Sequence, residues 1–528
     1  MTIRREAMLQ ALEDQTGPWD FVIIGGGATG LGCAVDASSR GYRTLLLEQH
    51  DFAKGTSSRS TKLVHGGVRY LRQGNVALVL EALKERGILL RNAPHLVHDL
   101  PFVVPNYTWW EGPYYGIGLK MYDLLAGRSG FGRSRHLSVE ETLERIPTIE
   151  PEGLDGGVIY YDGQFDDARL AVNLAQTAAE QGGVLLNYLC VTDLVRADGE
   201  VRGVRAEDQE TGRSYEIRAK AVINATGVFT DQIRRMDDPS VRPMVTPSQG
   251  VHLVLDRSFL PGDSAIMVPK TDDGRVLFAV PWHDRVIVGT TDTPVHDAEL
   301  EPRPLKEEVR FLLEHTARYL TRDPKAEDVL SVFAGLRSLV RAGDDGDTAS
   351  ISRDHALHIA PSGLVTITGG KWTTYRKMAE DTIDQAATIA DLEDRDCVTA
   401  TLPIHGHYRN AESFGVLAEY GSDAPELLAL IREDARYSVP LHPDHSVVAG
   451  QVVWAVRHEA ARTVEDVLSR RTRMLLLDAR ASIEMAAGVA ALLAEELARD
   501  EIWIEAQVKA YTELALGYLI TTSPGEDS

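Results

Sequence analysis

Residues 20–48 read DFVIIGGGATGLGCAVDASSRGYRTLLLE. The run 20–24 is apolar after its first residue and stops at glycines, so it reads as a buried strand. Residues 28–40, rich in small side chains, read as a helix, and 43–47 as a second strand closed by Glu48. Between the first strand and the helix stands Gly25-Gly26-Gly27-Ala28-Thr29-Gly30. It fits G-x-G-x-x-G in the strand–turn–helix setting that gives the pattern meaning. Glycines let backbone approach a pyrophosphate, the helix N-terminus at Ala28 and Thr29 offers unpaired N–H groups, and Glu48 can accept hydrogen bonds from an adenosine ribose. The unit is a Rossmann-type dinucleotide site, and by itself it admits FAD and NAD alike.

Two segments further along favour FAD. Ala225-Thr226-Gly227 ends a strand, where a small turn can pass beside the same cofactor. Gly369-Gly370-Lys371-Trp372-Thr373-Thr374 joins a strand at 364–369 to a helix at 372–388. That second helix N-terminus, facing a flavin ring, would stabilise the negative charge of the reduced ring.

Between these segments the pattern changes. A strand-rich region begins near 184, with turns at Asp198-Gly199 and Thr211-Gly212. Residues 245–300 alternate as strands with turns at Asp273-Gly274 and His283-Asp284. From about 447 the chain reads as helix, and the tail 521–528 as disordered. The fold class expected is α/β: a discontinuous FAD-binding domain (18–105, 165–245 and 340–390), a mostly antiparallel β substrate domain (106–164 and 246–339), and a C-terminal α-helical domain (400–520). The arginine-rich stretch 457–473 reads as the lining of a domain or dimer interface or as a solvated helix face.

Composition sets limits. With 528 residues, two to four domains are expected. The net charge of −23 opposes nucleic-acid binding through the bulk field, so a phosphorylated substrate must meet a local cationic pocket. Cys33, Cys190 and Cys397 are odd in number and show no metal-type spacing, so they read as free thiols in a reducing cytoplasm, and no metal is expected. No apolar stretch resembles a secretory signal, and none reaches the ~18 residues of a spanning helix.

Longer motifs are more specific. They are GTSSRSTKLVHGGVRYLR (55–72), QGVHLVL (249–255), VGTTDT (288–293), GLRSL (335–339), SRDHAL (352–357), GGKWTTYRKMAE (369–380) and WAVRHEAARTVEDVLSRRTR (454–473). In this order they resemble the FAD-dependent glycerol-3-phosphate dehydrogenases. The resemblance implies a flavin domain of the glutathione-reductase or amino-acid-oxidase type. It also implies oxidation of sn-glycerol 3-phosphate to dihydroxyacetone phosphate, with electrons passed to membrane quinone or, in an oxidase branch, to dioxygen. The oxidase branch carries a long middle insertion that this chain lacks, which favours quinone. Peripheral attachment to the cytoplasmic face of a membrane and a homodimer are family properties of the same kind.

Carried onto this sequence, the motifs point to FAD contacts at Gly25, Gly27, Ala28, Thr29, Gly30, Glu48, Thr56, Ser57, Ser58, Lys62, Leu63, His65, Gly66, Ala225, Thr226, Gly227, Gly369, Gly370, Lys371 and Thr373. Substrate contacts fall on Arg69, Tyr70, Arg337, Arg353 and Lys371. Guanidinium forks suit a phosphate dianion, at roughly 1.5–3 kcal/mol per charge-assisted bond. Arg337 and Lys371 read as nearest the reacting carbon, and Arg353 as a phosphate anchor. His252 and His65 are the candidate bases, since imidazole titrates near neutrality; for His65 packing beside the flavin is the other role. His252 shares a strand face with Val254, opposite Val251 and Leu253. Many family members have proline where Ser338 stands, which loosens the aim of Arg337.

Residues 107–136 combine Trp109, Trp110, Tyr114 and Tyr115 with Lys120, Arg128, Arg133 and Arg135, a composition suited to an interfacial anchor. Three rival readings stay open: the oxidase, an amine-oxidising relative, and a flavin protein without turnover.

Overall fold

Five parallel strands make the centre of the first sheet in the computed structural model, which describes residues 3–67, 75–108, 111–126, 132–269, 271–272, 274–341 and 355–520. Their order is Val365–Gly369, Ser214–Asn224, Trp19–Ile24, Thr44–Leu47 and Val184–Leu186, with His355–Ile359 antiparallel at one edge. Every residue of Trp19–Ile24 is buried. This is why the strand reads as continuously apolar: helices cover a parallel sheet on both faces. The helices Ala28–Ser39, Asp167–Glu180 and Tyr375–Ile389 belong to this layer. The hairpin Leu189–Ala197/Glu200–Asp208 extends it through antiparallel pairing of Ser214 to Arg218. Its turns fall at 198–199 and 209–213, where the Asp-Gly and Thr-Gly pairs stand.

The second sheet holds ten of the described strands and is mostly antiparallel. Val245–Asp256 is its organising strand, flanked by Val329–Val340 on one side and Arg285–Gly289 on the other. The sheet continues through Leu277–Trp282, Ala265–Val268, Val97–Pro105, Gly157–Phe165 and Leu63–Val64. Val254 packs in one apolar cluster and Val251 with Leu253 in another, so His252 does alternate as its strand period requires. The division at residue 105 needs adjustment. Val97–Pro105 pairs along its whole length with Gly157–Phe165 in the second sheet, and nothing local in its sequence records that distant partner. A helix at Arg5–Asp14 precedes the first strand and is tied on by Arg5, 2.9 Å from Asp208.

The C-terminal part is helical, with Ala449–Glu459, Ala479–Leu497 and Glu501–Leu516 around a shared core. Its arginines favour the interface reading over the solvated face. Arg471 donates to both Asp51 oxygens at 2.6 and 2.8 Å, and Arg470 joins the same carboxylate. Arg473 pairs with Asp166 and Glu419. All but the half-buried Glu419 are buried, and Arg470 and Arg471 hold the Asp51 carboxyl down to about 2 against the upward push of burial. Asp51 and Glu419 stand 420 and 54 residues from their arginines, while the Glu465 and Asp466 partners of Arg470 are local, so charge patterning along the chain shows only the edge of the network. It fastens the helices behind the segment 51–58 that follows the glycine motif.

Candidate active site

The glycine turn sits where the first strand meets its helix. Gly25 has φ +106°, and a Cβ there would lie 2.8 Å from the Ala225 carbonyl oxygen. A Cβ on Gly30 would fall 1.9 Å from the Gly25 carbonyl oxygen. Only bare backbone lets the helix start this close to the strand. The Glu48 carboxylate accepts from the N–H groups of Gly26 (2.7 Å) and His50 (2.9 Å). Burial raises its pKa, and those two N–H groups lower it. Ser57 Oγ accepts from Ala28 N at 2.9 Å, tying the second strand's loop to the helix start.

From this turn a cavity of about 670 Å³ runs to the second sheet. Its wall includes Gly25, Gly27, Ala28, Thr29, Glu48, Thr56, Ser57, Leu63, His65, Ala225, Thr226, Gly227, Gly369, Gly370, Lys371 and Thr373. The dinucleotide side and the chemical side meet here, because His252 and Arg337 line the same cavity. Thr373 Oγ1 accepts from His65 N (3.2 Å) and Trp372 Nε1 donates to the Ser57 carbonyl (2.9 Å), so the second helix start is locked onto the first motif.

Four expected cofactor contacts, Gly30, Ser58, Lys62 and Gly66, are not in this wall and have other contacts. Lys62 is fully buried and its ammonium bonds both Asp167 oxygens at 2.7 and 2.8 Å, turned from the cavity by that charge. Ser58 is buried, with its carbonyl accepting from the same ammonium at 2.6 Å. Gly66 donates to Tyr122 Oη at 2.8 Å, and a Cβ would strike that oxygen at 2.4 Å, so it serves close packing. Gly30 serves the helix start. Arg69, Tyr70 and Arg353 lie outside the described residues, as do Asp273 and the tail 521–528.

Arg337 stands on Val329–Val340 opposite Ser248. Both its terminal nitrogens donate to the Thr291 carbonyl at 3.1 Å, with Asp292 Oδ1 at 3.0 Å and Thr290 Oγ1 at 3.1 Å. A Cβ on Gly250 would lie 2.6 Å from Nη2, so this glycine makes the slot for the guanidinium. His252 is 3% exposed, stacks on Phe333 at 4.8 Å between centroids, and places Nε2 2.9 Å from Thr61 Oγ1. Gly289, its cross-strand partner, leaves room for the ring. Burial first, then the charges of Arg337 and Lys62, push the His252 pKa well below 6.5. The ring is therefore neutral at pH 7, with its lone pair available, although the same burial and charges oppose the protonated form.

Sequence reading missed Thr61, Thr290, Thr291 and Asp292, although all four fall inside quoted motifs. It also missed an apolar wall of Phe102, Tyr160, Met267 and Phe278. These come from four strands whose alternation is ordinary; strand pairing, which sets Phe102 opposite Tyr160 and Met267 opposite Phe278 on adjacent strands, makes them neighbours.

The residues fit FAD. One continuous cavity offers a ribose-accepting carboxylate at Glu48, a glycine turn with a helix N-terminus for the pyrophosphate, and a second helix start at Lys371 beside titratable side chains. Comparison with known proteins agrees. The family described as FAD dependent oxidoreductase matches residues 20–376, and the C-terminal domain of alpha-glycerophosphate oxidase matches 365–502. Mitochondrial glycerol-3-phosphate dehydrogenase of Mus musculus is 40% identical over 99% of this chain and 77% of its own. The mitochondrial enzyme of Arabidopsis thaliana is 41% identical over 91% of this chain and 83% of its own. The structure of glycerol-3-phosphate dehydrogenase from Bacillus halodurans, complexed with FAD, superposes with a TM-score of 0.80 at 30% identity, covering 98% of this chain and 99% of that one. Such coverage across the flavin, sheet and helical parts places the chain among the FAD-dependent glycerol-3-phosphate dehydrogenases, and it belongs to that family.

Proposed function

We propose that the protein oxidises sn-glycerol 3-phosphate to dihydroxyacetone phosphate and passes the electrons to a membrane quinone. The reading rests on one observation: the cavity that begins at the glycine turn ends among His252, Arg337 and Lys371. FAD, when bound, supplies the acceptor for the hydride leaving carbon 2. Gly25, Gly27, Thr29 and Glu48 would hold its dinucleotide part, and His65, Gly370 and Lys371 its ring.

The chain's own groups do the rest. Arg337 and Lys371 bind the anionic substrate with its alcohol carbon against the ring, and Arg69, Tyr70 and Arg353 complete the anchor. The substrate hydroxyl gives its proton to Thr61 Oγ1 as that hydroxyl passes its own proton to Nε2 of His252, 2.9 Å away. Asp292, 3.0 Å from Arg337, offsets part of the cation's charge. This suits Arg337 to the neutral alcohol end, leaving the phosphate to the other cations. His65 is the second candidate base, favoured by being half-buried in the cavity wall where His252 is almost enclosed.

Support for a lipophilic acceptor comes from the apolar wall. Leu119, on the helix Glu111–Ala126, packs in the cluster with Phe102, Tyr160 and Met267. On the same helix Met121 is 50% and Leu124 80% exposed, beside exposed Lys120, a composition suited to a membrane surface. Trp109, Trp110 and Arg128 lie outside the described residues, as do the side chains of Tyr114 and Tyr115; Arg133 and Arg135 are exposed. No helix among the described residues is long and apolar enough to cross a membrane, so docking is peripheral in this reading, on the cytoplasmic face and as a homodimer in keeping with the family.

Anaerobic mixing of the yellow protein with glycerol 3-phosphate tests the reaction. Rapid bleaching is expected, followed by re-oxidation with a quinone analogue far faster than with air. A flavin that dithionite reduces but the substrate does not overturns the proposal, and faster re-oxidation by air makes the protein an oxidase.

A further inference from the structure

We propose that Glu308 is a positioning residue that fixes the aim of Arg337. The inference rests on the reading above, in which Arg337 contacts the substrate. Glu308 lies in the first turn of the helix Lys306–Ala317, on the far side of the Thr290–Asp292 turn from the cavity, and is 4% exposed. Its carboxylate accepts four hydrogen bonds. Oε1 receives Thr291 Oγ1 at 2.8 Å and Thr293 Oγ1 at 2.6 Å. Oε2 receives Gln249 Nε2 at 2.7 Å and Leu305 N at 3.0 Å. None of the four donors is a charged side chain, so hydroxyl and amide dipoles together with the helix N-terminus hold the buried charge.

What these donors belong to gives the carboxylate its role. Gln249 stands three residues before His252 on the same strand. Thr291 and Thr293 bracket Asp292, and the Thr291 carbonyl receives both terminal nitrogens of Arg337. Thr291 Oγ1 also accepts from Val251 N at 3.0 Å. One carboxylate thus joins the strand that carries His252 to the turn that grips Arg337. The guanidinium lies so close over Gly250 that a Cβ there would be 2.6 Å from Nη2, so it has little retreat and its direction follows the turn. A cap for the helix would need only the bond from Leu305; the other three run to the site.

The amide of Glu308→Gln keeps the size but turns an N–H₂ toward donors. Leu305 N cannot reverse, and a flip of Gln249 would cost its bond to the Arg303 carbonyl at 3.0 Å, so the amide faces Thr291 and Thr293, whose hydroxyls then have to turn and accept. The turn loosens while the helix keeps its cap. The test is a double-mutant cycle read by anaerobic flavin reduction, with flavin content measured from the absorbance spectrum. Glu308→Gln is expected to lower the second-order rate constant for reduction by glycerol 3-phosphate about tenfold, and by less than about twofold when Arg337→Lys is already present. Thr291→Val, which removes the hydroxyl and keeps the carbonyl, is expected to couple to Arg337→Lys in the same way and carries the test if Glu308→Gln fails to retain flavin. Equal effects in both backgrounds, or none in either, overturn the proposal. Wild-type kinetics for Arg337→Lys alone would instead remove the reading of Arg337 on which it rests.

Discussion

Replacing Gly289 by alanine tests the site with one methyl group. Gly289 is the cross-strand partner of His252, and a Cβ there would lie 2.2 Å from Cδ2 and 2.9 Å from Nε2 of the ring. Ordinary contact begins near 3.4 Å, so the ring must move by about 1.2 Å or the strands must part. The ring is stacked on Phe333 and held to Thr61 at 2.9 Å, so a shift of that size breaks the bond to Thr61. A displacement near 1 Å at a reacting group costs roughly 10²-fold in rate, and the overpacking costs about 1–3 kcal/mol of stability. The assay is stopped-flow bleaching of the flavin under anaerobic glycerol 3-phosphate, at saturating substrate, on protein whose spectrum shows full flavin content. The half-saturating substrate concentration is expected to change little, because Arg337 has its own slot at Gly250. A fully flavinated Gly289→Ala protein that bleaches at the wild-type rate would refute the assignment of His252 to proton transfer.

His252→Ala lowers the flavin-reduction rate by roughly 10²–10⁴ in the same assay if it is the base; His65→Ala showing that loss alone, with His252→Ala near wild type, transfers the role to His65. Lys62→Met leaves Asp167 buried without its cation, which costs about 3–5 kcal/mol in denaturant unfolding, and a loss under about 1 kcal/mol contradicts the buried pair. His405 lies 2.7 Å from both Asp423 and Glu180; burial alone would lower its pKa, but the two carboxylates raise it to about 9. Its stabilisation is therefore complete below the unfolded value of about 6.5 and is lost as pH rises through about 9. Melting temperature should fall across that window, and His405→Gln should flatten the fall. His50 and His95, lowered mainly by burial to about 4, act oppositely. Their contribution is lost as pH drops from about 6.5 toward 4, so the stability maximum lies near neutrality.

Local sequence decided the elements whose signals are local. Gly25 to Gly30 announces the dinucleotide turn because strand, turn and helix lie within thirty residues, and no other residue type permits backbone to pass so close. The hairpin turns at 198–199 and 283–284 were legible for the same reason, as was the alternation that sets His252 apart from Val251 and Leu253. Longer motifs extended this to the family and to the cavity positions of His65, Arg337 and Lys371. What the tertiary structure decided is everything that depends on partners distant in the chain. Lys62 reads as a cofactor contact until Asp167, 105 residues on, is seen to hold its ammonium. The arginines at 470–473 look solvated until Asp51 is found beneath them. Phe102, Tyr160, Met267 and Phe278 form one wall because their four strands pair side by side. Charge and hydrogen bonding act across space within a few ångströms, whereas a sequence records only order along the chain. Which cation is free to meet a substrate and which is already paired is therefore a property of the folded molecule.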